Sequence, residues 1–144
     1  MKTEERFTVG IDIGTTYCSI AYYNIQNEQI ETLKMDGNDS FPSWLSFTST
    51  SEEKVKVKVG YEAKNSPMNI SNVKRLIGRT YTEVNEMNNR YQTWPFEIRE
   101  GPNETFMIDY PTDKNTSELF SPEELSALLL SYIKQKMKQQ VKKH

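Results

Sequence analysis

The stretch Phe7 to Asn24, Phe-Thr-Val-Gly-Ile-Asp-Ile-Gly-Thr-Thr-Tyr-Cys-Ser-Ile-Ala-Tyr-Tyr-Asn, constrains this chain more than any other. Two apolar, β-rich runs flank the polar turn Gly14-Thr15-Thr16-Tyr17, and one carboxylate, Asp12, lies just upstream. Phe7, Val9 and Ile11 alternate with Thr8, Gly10 and Asp12, which is the period of a strand. Ile20 and Tyr22 share one face of the second run, and Ala21 and Tyr23 the other. Two strands this close, joined by a tight glycine-containing turn, predict an antiparallel hairpin.

The residue types in the turn suggest a chemistry. Gly14 allows close approach of backbone to a bulky ligand. Successive amides from Gly14 to Tyr17 can form an anion-binding nest, and Thr15 and Thr16 add hydroxyl donors. Asp12 repels phosphate, so its presence makes sense if a divalent cation sits between carboxylate and phosphate. Mg²⁺ takes one or two carboxylates, keeps several waters and uses phosphate oxygens for the rest. The same residues also suit an ordinary hairpin in which Asp and Thr side chains only stabilise the turn. The pattern of this stretch alone does not separate the two.

At 144 residues one domain is the default. Apolar residues make up 35% of the chain, about 39% with its 6 glycines, against roughly 45–50% for a typical globular protein. A thin core, or a larger core of which part is missing, is the expectation, and the second is preferred. A net charge of −2 predicts neither a nucleic-acid nor a membrane partner. The single cysteine, Cys18, excludes an internal disulfide and suits the role of a small buried hydrophobe. His144 is the one histidine and builds no zinc or nucleophile–base site alone. No secretory h-region precedes the hairpin and no apolar run approaches membrane-spanning length, so a cytoplasmic location is expected.

Further along, Ile30 to Met35 predicts a third strand, followed by a turn at Gly37-Asn38-Asp39, and Pro42 starts an apolar strand through Phe47. Residues 54–59 alternate lysine and valine, the pattern of an edge strand with valines inward and lysines guarding the edge. In residues 70–79, Ser71 or Asn72 is placed to cap a short helix with Leu76 and Ile77 on its buried side and Gly78 at its end. Thr82 is expected to cap a polar helix over 82–91. Trp94 to Ile98 opens a strand paired with Phe106 to Tyr110 across Gly101-Pro102-Asn103, and Pro111 to Leu119 is expected to be a polar loop. Ser121-Pro122-Glu123-Glu124 is a capping box with proline at the first helical position and a Phe120–Leu125 staple. Leu125, Leu128, Leu129, Tyr132, Ile133, Met137 and Val141 then recur at helical spacing. Five lysines crowd residues 134–143, where they complement the helix dipole.

Val9 to Tyr17, Val-Gly-Ile-Asp-Ile-Gly-Thr-Thr-Tyr, resembles the first phosphate motif of the seventy-kilodalton heat-shock chaperones. Lys74-Arg75-Leu76-Ile77-Gly78-Arg79 is similar to the run in that family whose lysine reaches the ATP site. Gly60 to Asn65, Trp94-Pro95-Phe96 and the Pro122-Glu123-Glu124 helix are also family-like and stand in the family's order. One departure lies between Pro67 and Lys74. The connection is about one residue short, and Asn72-Val73 stands where Asp-Ala is usual. One residue in a helix is about 100° of rotation, so the aim of Lys74 is affected.

The resemblance implies an α/β fold, the incomplete N-terminal part of an actin-like (ribonuclease H-like) ATPase domain, with a mixed sheet and flanking helices. Residues 7–33 would be the first strands of lobe I, 44–110 most of an outer subdomain, and 121–143 a crossover helix. By the same resemblance the ligands are ATP or ADP with Mg²⁺. Asp12 would hold the metal, Gly14, Thr15, Thr16 and Tyr17 would bind the phosphates, and Lys74 would be catalytic. Unfolded client proteins, J-domain co-chaperones and nucleotide-exchange factors are the implied partners. The alternatives are a non-catalytic nucleotide-lobe remnant that pairs with another chain, and a sugar-kinase or actin-type relative. On this reading the hairpin exposes an edge and a face that further strands would cover, and the isolated chain is poorly soluble or partly unfolded around 7–33.

Overall fold

A computed structural model describes residues 8–49, 55–91, 94–113 and 116–141. Phe7, Lys54 and the lysines at 142 and 143 lie outside the described residues. The expected hairpin forms: β1 (Val9–Ile13) pairs antiparallel with β2 (Tyr17–Asn24), Val9 opposite Tyr22 and Ile13 opposite Cys18. The other edge of β2 is shared by β3 (Gln29–Thr32) and β4 (Ser40–Pro42), both antiparallel to it. Alternation then sorts the side chains of β2. Cys18, Ile20 and Tyr22 are buried, whereas Tyr23 is about half exposed. β1 closes one side of this sheet and is poorly covered, with Ile11 exposed opposite the buried Ile20.

The third strand is shorter than Ile30–Met35. β3 stops at Thr32, and Met35 and Asn38 exchange backbone hydrogen bonds of 2.8 and 3.0 Å. Asp36 and Gly37 both have positive φ, 50° and 81°. This is the two-residue Asp-Gly loop that matches strand twist, and it lies one residue earlier than Gly37-Asn38-Asp39. The strand expected from Pro42 to Phe47 is also broken. β4 ends at Pro42 and β5 begins at Leu45, because the intervening Ser43 turns its backbone and side chain to the 14–17 turn.

β5 (Leu45–Ser49) pairs with β6 (Val55–Val59), the outer strand of a two-stranded sheet. Val59 is buried and Lys56 exposed, as the lysine–valine alternation predicts. A short helix α1 (Tyr61–Lys64) follows, and then α2 (Tyr81–Tyr91). The cap of α2 is Thr80, not Thr82. Glu83 accepts from the Thr80 amide at 2.9 Å and its own amide donates to Thr80 Oγ1 at 3.3 Å. Thr80 and Glu83 thus form the reciprocal box, and Thr82 Oγ1 donates instead to Glu104.

β7 (Glu97–Glu100), β8 (Phe106–Asp113) and β9 (Thr116–Phe120) make a three-stranded antiparallel sheet in that order. The expected loop from Pro111 to Leu119 is therefore mostly strand. Pro111 is accommodated where the β8–β9 register shifts, between Pro111 and Asp113. β9 is nearly all exposed, so it carries no inside–outside alternation to betray it. Phe47 joins this sheet to β5, stacking on Phe120 at 4.2 Å and meeting Tyr110 edge-on at 5.0 Å between centroids.

The last helix, α3 (Pro122–Val141), begins as expected. The Ser121 amide donates to Glu124 at 2.7 Å, and the Glu124 amide donates to Ser121 Oγ at 3.2 Å. Leu125, Leu129, Ile133 and Met137 are buried at four-residue spacing. Lys134 and Lys138 are exposed near the end. α3 packs on β6 and on the segment around Lys74, tying the chain's end to the middle. One hydrophobic cluster runs from Cys18 to Met137 and draws on every one of these elements except β3.

Candidate phosphate-binding site

The 14–17 turn is closed by the Gly14 amide donating to the Tyr17 carbonyl at 2.9 Å. Gly14 has no unusual φ. Its requirement is steric, because a Cβ there would lie 2.4 Å from Tyr17 O. Glycine at this position thus serves the turn's own closure, not only approach of a ligand. The Gly14 amide is engaged in that closure, which leaves the amides of Thr15, Thr16 and Tyr17 as the candidate anion donors.

Ser43 clamps the turn from β4. Its amide donates to Thr16 O at 2.9 Å and its hydroxyl to Gly14 O at 2.9 Å. Cys18 Sγ lies 3.0 Å from Ser43 Oγ. Serine has one hydroxyl proton, and it is directed at Gly14, so the thiol donates to Ser43. Burial pushes the Cys18 thiol above its ordinary range and keeps that proton in place, while its hydrogen-bond contacts with Ser43 and Gly14 pull the other way. Ser43 was not singled out from the sequence, where it is one of two serines, with Ser46, inside the apolar run 41–47.

Asp12 sits on β1 opposite Ser19, with its side chain exposed. Lys74 comes from a distant part of the chain. The expected α-helix over 70–79 is a single 3-10 turn, Val73–Arg75, and neither Ser71 nor Asn72 caps it by side chain. Asn72 instead adopts a left-handed conformation, φ 58°. Val73 and Leu76 are buried, and Ile77 is 45% exposed, contrary to the helical expectation. The reason is periodicity: in a 3-10 turn residues three apart eclipse, so Val73 and Leu76 share the inner face. Gly78 ends the segment with φ 74°.

Several partners fix the backbone before Lys74. Leu45 and Ile70 exchange hydrogen bonds of 3.0 and 2.7 Å, the Trp94 indole donates to Ser71 O at 3.0 Å, and the Tyr110 hydroxyl donates to Met68 O at 2.5 Å. Lys74 and Arg75 are left exposed. Asp12 and Lys74 both act on the Cys18 thiol electrostatically, Asp12 raising its pKa and Lys74 lowering it. Thus two residues 62 positions apart in sequence both lie within electrostatic reach of the Cys18 thiol. Lys64, also not anticipated, lies 6.0 Å from the ring centroid of Tyr17 and 5.7 Å from that of Trp44, adding a second cation at the rim.

A pH dependence follows from the buried acids. Cys18 and Tyr22, Tyr110 and Tyr132 are all raised, chiefly by burial, from ordinary values of 9.0 and 10.0 respectively. Each is neutral when protonated, so the folded chain holds these protons more tightly than the unfolded chain. Their contribution is fully present below about pH 9 and is lost as pH rises through the folded values. The urea midpoint is expected to fall above about pH 9 and more steeply above about pH 10, and Cys18→Val should remove the earlier part of the fall. A midpoint that rises over this range would contradict the assignment.

Compared with known families, residues 8–144 match the one described as Hsp70 protein. The chain belongs to the Hsp70 family. It is 31% identical to heat shock cognate 70 kDa protein 3 of Dictyostelium discoideum over 134 residues, covering 89% of this chain and 20% of that protein. It is 35% identical to a ribosome-associated molecular chaperone of Saccharomyces cerevisiae, covering 88% of this chain and 20% of the relative. It is 34% identical to heat shock 70 kDa protein II of Paracentrotus lividus, covering 88% and 33% respectively. The chain therefore spans about a fifth to a third of these relatives. Hsp70 membership implies an actin-like, nucleotide-binding ATPase fold, with which the mixed α/β arrangement is consistent. The remnant, sugar-kinase and actin-type alternatives are not favoured by these matches. No helix among the described residues is long and apolar enough to cross a membrane.

Proposed function

We propose that this chain is the N-terminal part of an Hsp70-type ATPase domain and contributes one wall of its ATP site, in a protein that uses ATP hydrolysis to drive protein folding. The observation that carries this reading is the closed Gly14–Tyr17 turn held by Ser43, with Asp12 on the strand that leads into it. Thr15 and Thr16 offer hydroxyls and, with Tyr17, amides to the phosphates. Gly14 keeps the turn tight. Among the described residues no group of three or more His, Cys, Asp or Glu is placed to hold a metal ion. Mg²⁺ asks for only one or two carboxylates, and Asp12 would be the residue that holds it. Mg²⁺, when bound, offsets phosphate charge. Lys74 would position the attacking water and offset charge that develops on the γ-phosphoryl oxygens, a division of labour adequate in kind for phosphoryl transfer.

Residues 7–33 are assigned to the first strands of lobe I, 44–110 to an outer subdomain and 121–143 to a crossover helix. The exposed Ile11 on β1, and Ile25 and Ile30 beyond the hairpin, support a neighbouring part of the domain covering this sheet. Client proteins, J-domain co-chaperones and exchange factors belong to the whole protein under this reading, and the cytoplasm is its compartment.

Calorimetry of the 144-residue chain with Mg-ATP tests the site. Binding in the micromolar range, about −8 kcal/mol, weakened at least about tenfold by Asp12→Ala and measurably, but by less than about tenfold, by Lys74→Ala, is the expected outcome for a preformed half-site. Binding that neither substitution changes would remove the turn and the lysine from the ATP site.

A further inference from the structure

A second site lies on the β7–β8–β9 sheet, away from the phosphate turn. Glu97, Asp109 and Leu119 form one row across the three strands, directly opposite one another in register. Their row faces away from the core side, where Ile98, Ile108 and Phe120 pack. Two carboxylates directly opposite on adjacent strands repel. Arg99 answers part of that charge, its Nη2 pairing with Asp109 Oδ2. The pairing is lopsided, because the Asp109 side chain is 8% exposed and that of Arg99 58%. Asp109 Oδ1 is buried and has no hydrogen-bond partner among the described residues. Leaving a buried acceptor unsatisfied is costly, more so for a charged group.

The unsatisfied carboxylate borders a cavity of about 290 Å³ lined by Pro95, Phe96, Glu97, Asp109, Pro111 and Ser117. Two carboxylates and a hydroxyl meet apolar walls there, so the fitting occupant carries a positive charge on an apolar stem. A hard divalent cation fits poorly, since it asks for six or more oxygens and no third acidic ligand is present among the described residues. The cavity lies at the small end of the range for ligand pockets and is nearer the size of one side chain. A guanidinium supplies planar paired donors, five N–H groups in all, and is less strongly hydrated than an ammonium. The exposed Leu119 and the rim prolines Pro95 and Pro111 give the residues flanking such a side chain an apolar surface.

We propose that this cavity receives an arginine side chain from a partner polypeptide, its guanidinium set against the carboxylates of Asp109 and Glu97 with Ser117 as a further acceptor. The site is independent of the phosphate turn, and its occupancy does not depend on the nucleotide reading.

The test is a titration of the ¹⁵N-labelled 144-residue chain with the peptide acetyl-Gly-Arg-Gly-amide, followed by amide chemical shifts. Saturable shifts confined to Glu97, Asp109 and Ser117 and their neighbours, with millimolar affinity, are expected. The citrulline peptide, which keeps the shape and loses the charge, should leave these amides unmoved. Ethylguanidinium should bind at least about threefold more weakly than the peptide. Glu97→Gln should weaken the peptide at least about threefold. That carboxylate is exposed and has no part in the Arg99 pair, so the folded sheet survives the change. Asp109→Asn should abolish the response. Citrulline binding as tightly as arginine, ethylguanidinium matching the peptide, shifts at these amides with Mg²⁺ or Ca²⁺ alone, or no localised shifts with the arginine peptide would each overturn the proposal.

Discussion

Replacing Lys74 with methionine is expected to lower ATP turnover by roughly 10²–10³-fold, the scale lost when one preorganised charge-stabilising group is removed from a transition state. The measurement suits a chimera in which residues 8–144 replace the matching segment of a full-length Hsp70 relative. Methionine keeps the length and apolar stem of lysine and removes only the ammonium. Lys74 is exposed, and the fold beneath it is held by the buried Val73 and Leu76 and by the Trp94–Ser71 bond. Stability should therefore be nearly unchanged. Nucleotide affinity should fall by no more than about tenfold, because under the proposed reading most phosphate contacts would come from the turn. The diagnostic combination is lost turnover with retained binding, the signature of a group that acts mainly in the transition state. Turnover equal to that of the parent chimera would take Lys74 out of the mechanism. The shortened connection before it would then be the physical reason, having rotated the lysine off the phosphate.

How far the sequence carried the fold depends on what kind of signal each element leaves. The β1–β2 hairpin and the start of α3 were legible because their determinants are local. Alternation of Ile20 and Tyr22 against Ala21 and Tyr23 fixes a face, and Ser121 with Glu124 closes a box within four residues. The helix expected around Lys74 was not legible as a 3-10 turn. Its conformation is imposed by contacts far along the chain, Leu45 on Ile70 and Trp94 on Ser71, which override a capping pattern that looks helical. β9 was missed for the opposite reason. Thr116 to Phe120 carries little apolar signal and exists as a strand because β8 offers it a ladder. The candidate phosphate site divides in the same way. Gly14 to Tyr17 and Asp12 announce a turn with an acid beside it, but the clamp by Ser43 and the approach of Lys74 depend on tertiary structure. For Lys74 the expectation came from the resemblance to the chaperone family. That resemblance gave no role to Ser43, which lies in no motif, or to Lys64, which lies in the family-like Gly60–Asn65 stretch.

Phe41→Ala is expected to cost about 3–5 kcal/mol, a large part of the roughly 5–15 kcal/mol that stabilises a typical domain. Phe41 is 1% exposed and sits where three parts of the molecule meet. It stands opposite Cys18 in the β2–β4 register, its ring lies 6.1 Å from that of Tyr132 on α3, and Gly60 packs directly against it. A Cβ on Gly60 would lie 3.4 Å from the ring, so the space around Phe41 is already filled and the neighbouring backbone is poorly placed to collapse into a cavity. The cost should appear as a lower urea midpoint with an unchanged slope, since the surface exposed on unfolding is nearly the same. A second effect is specific to this position. Phe41 is two residues from Ser43, whose amide and hydroxyl hold Thr16 and Gly14. Loosening β4 should therefore weaken Mg-ATP binding even under conditions where the variant remains folded. Phe41→Leu, which refills most of the volume, should recover much of both losses. If Phe41→Ala lowers stability while nucleotide affinity stays at the parent value, β4 is a structural prop for the core alone. The turn would then keep its shape through the Gly14–Tyr17 bond without the serine clamp.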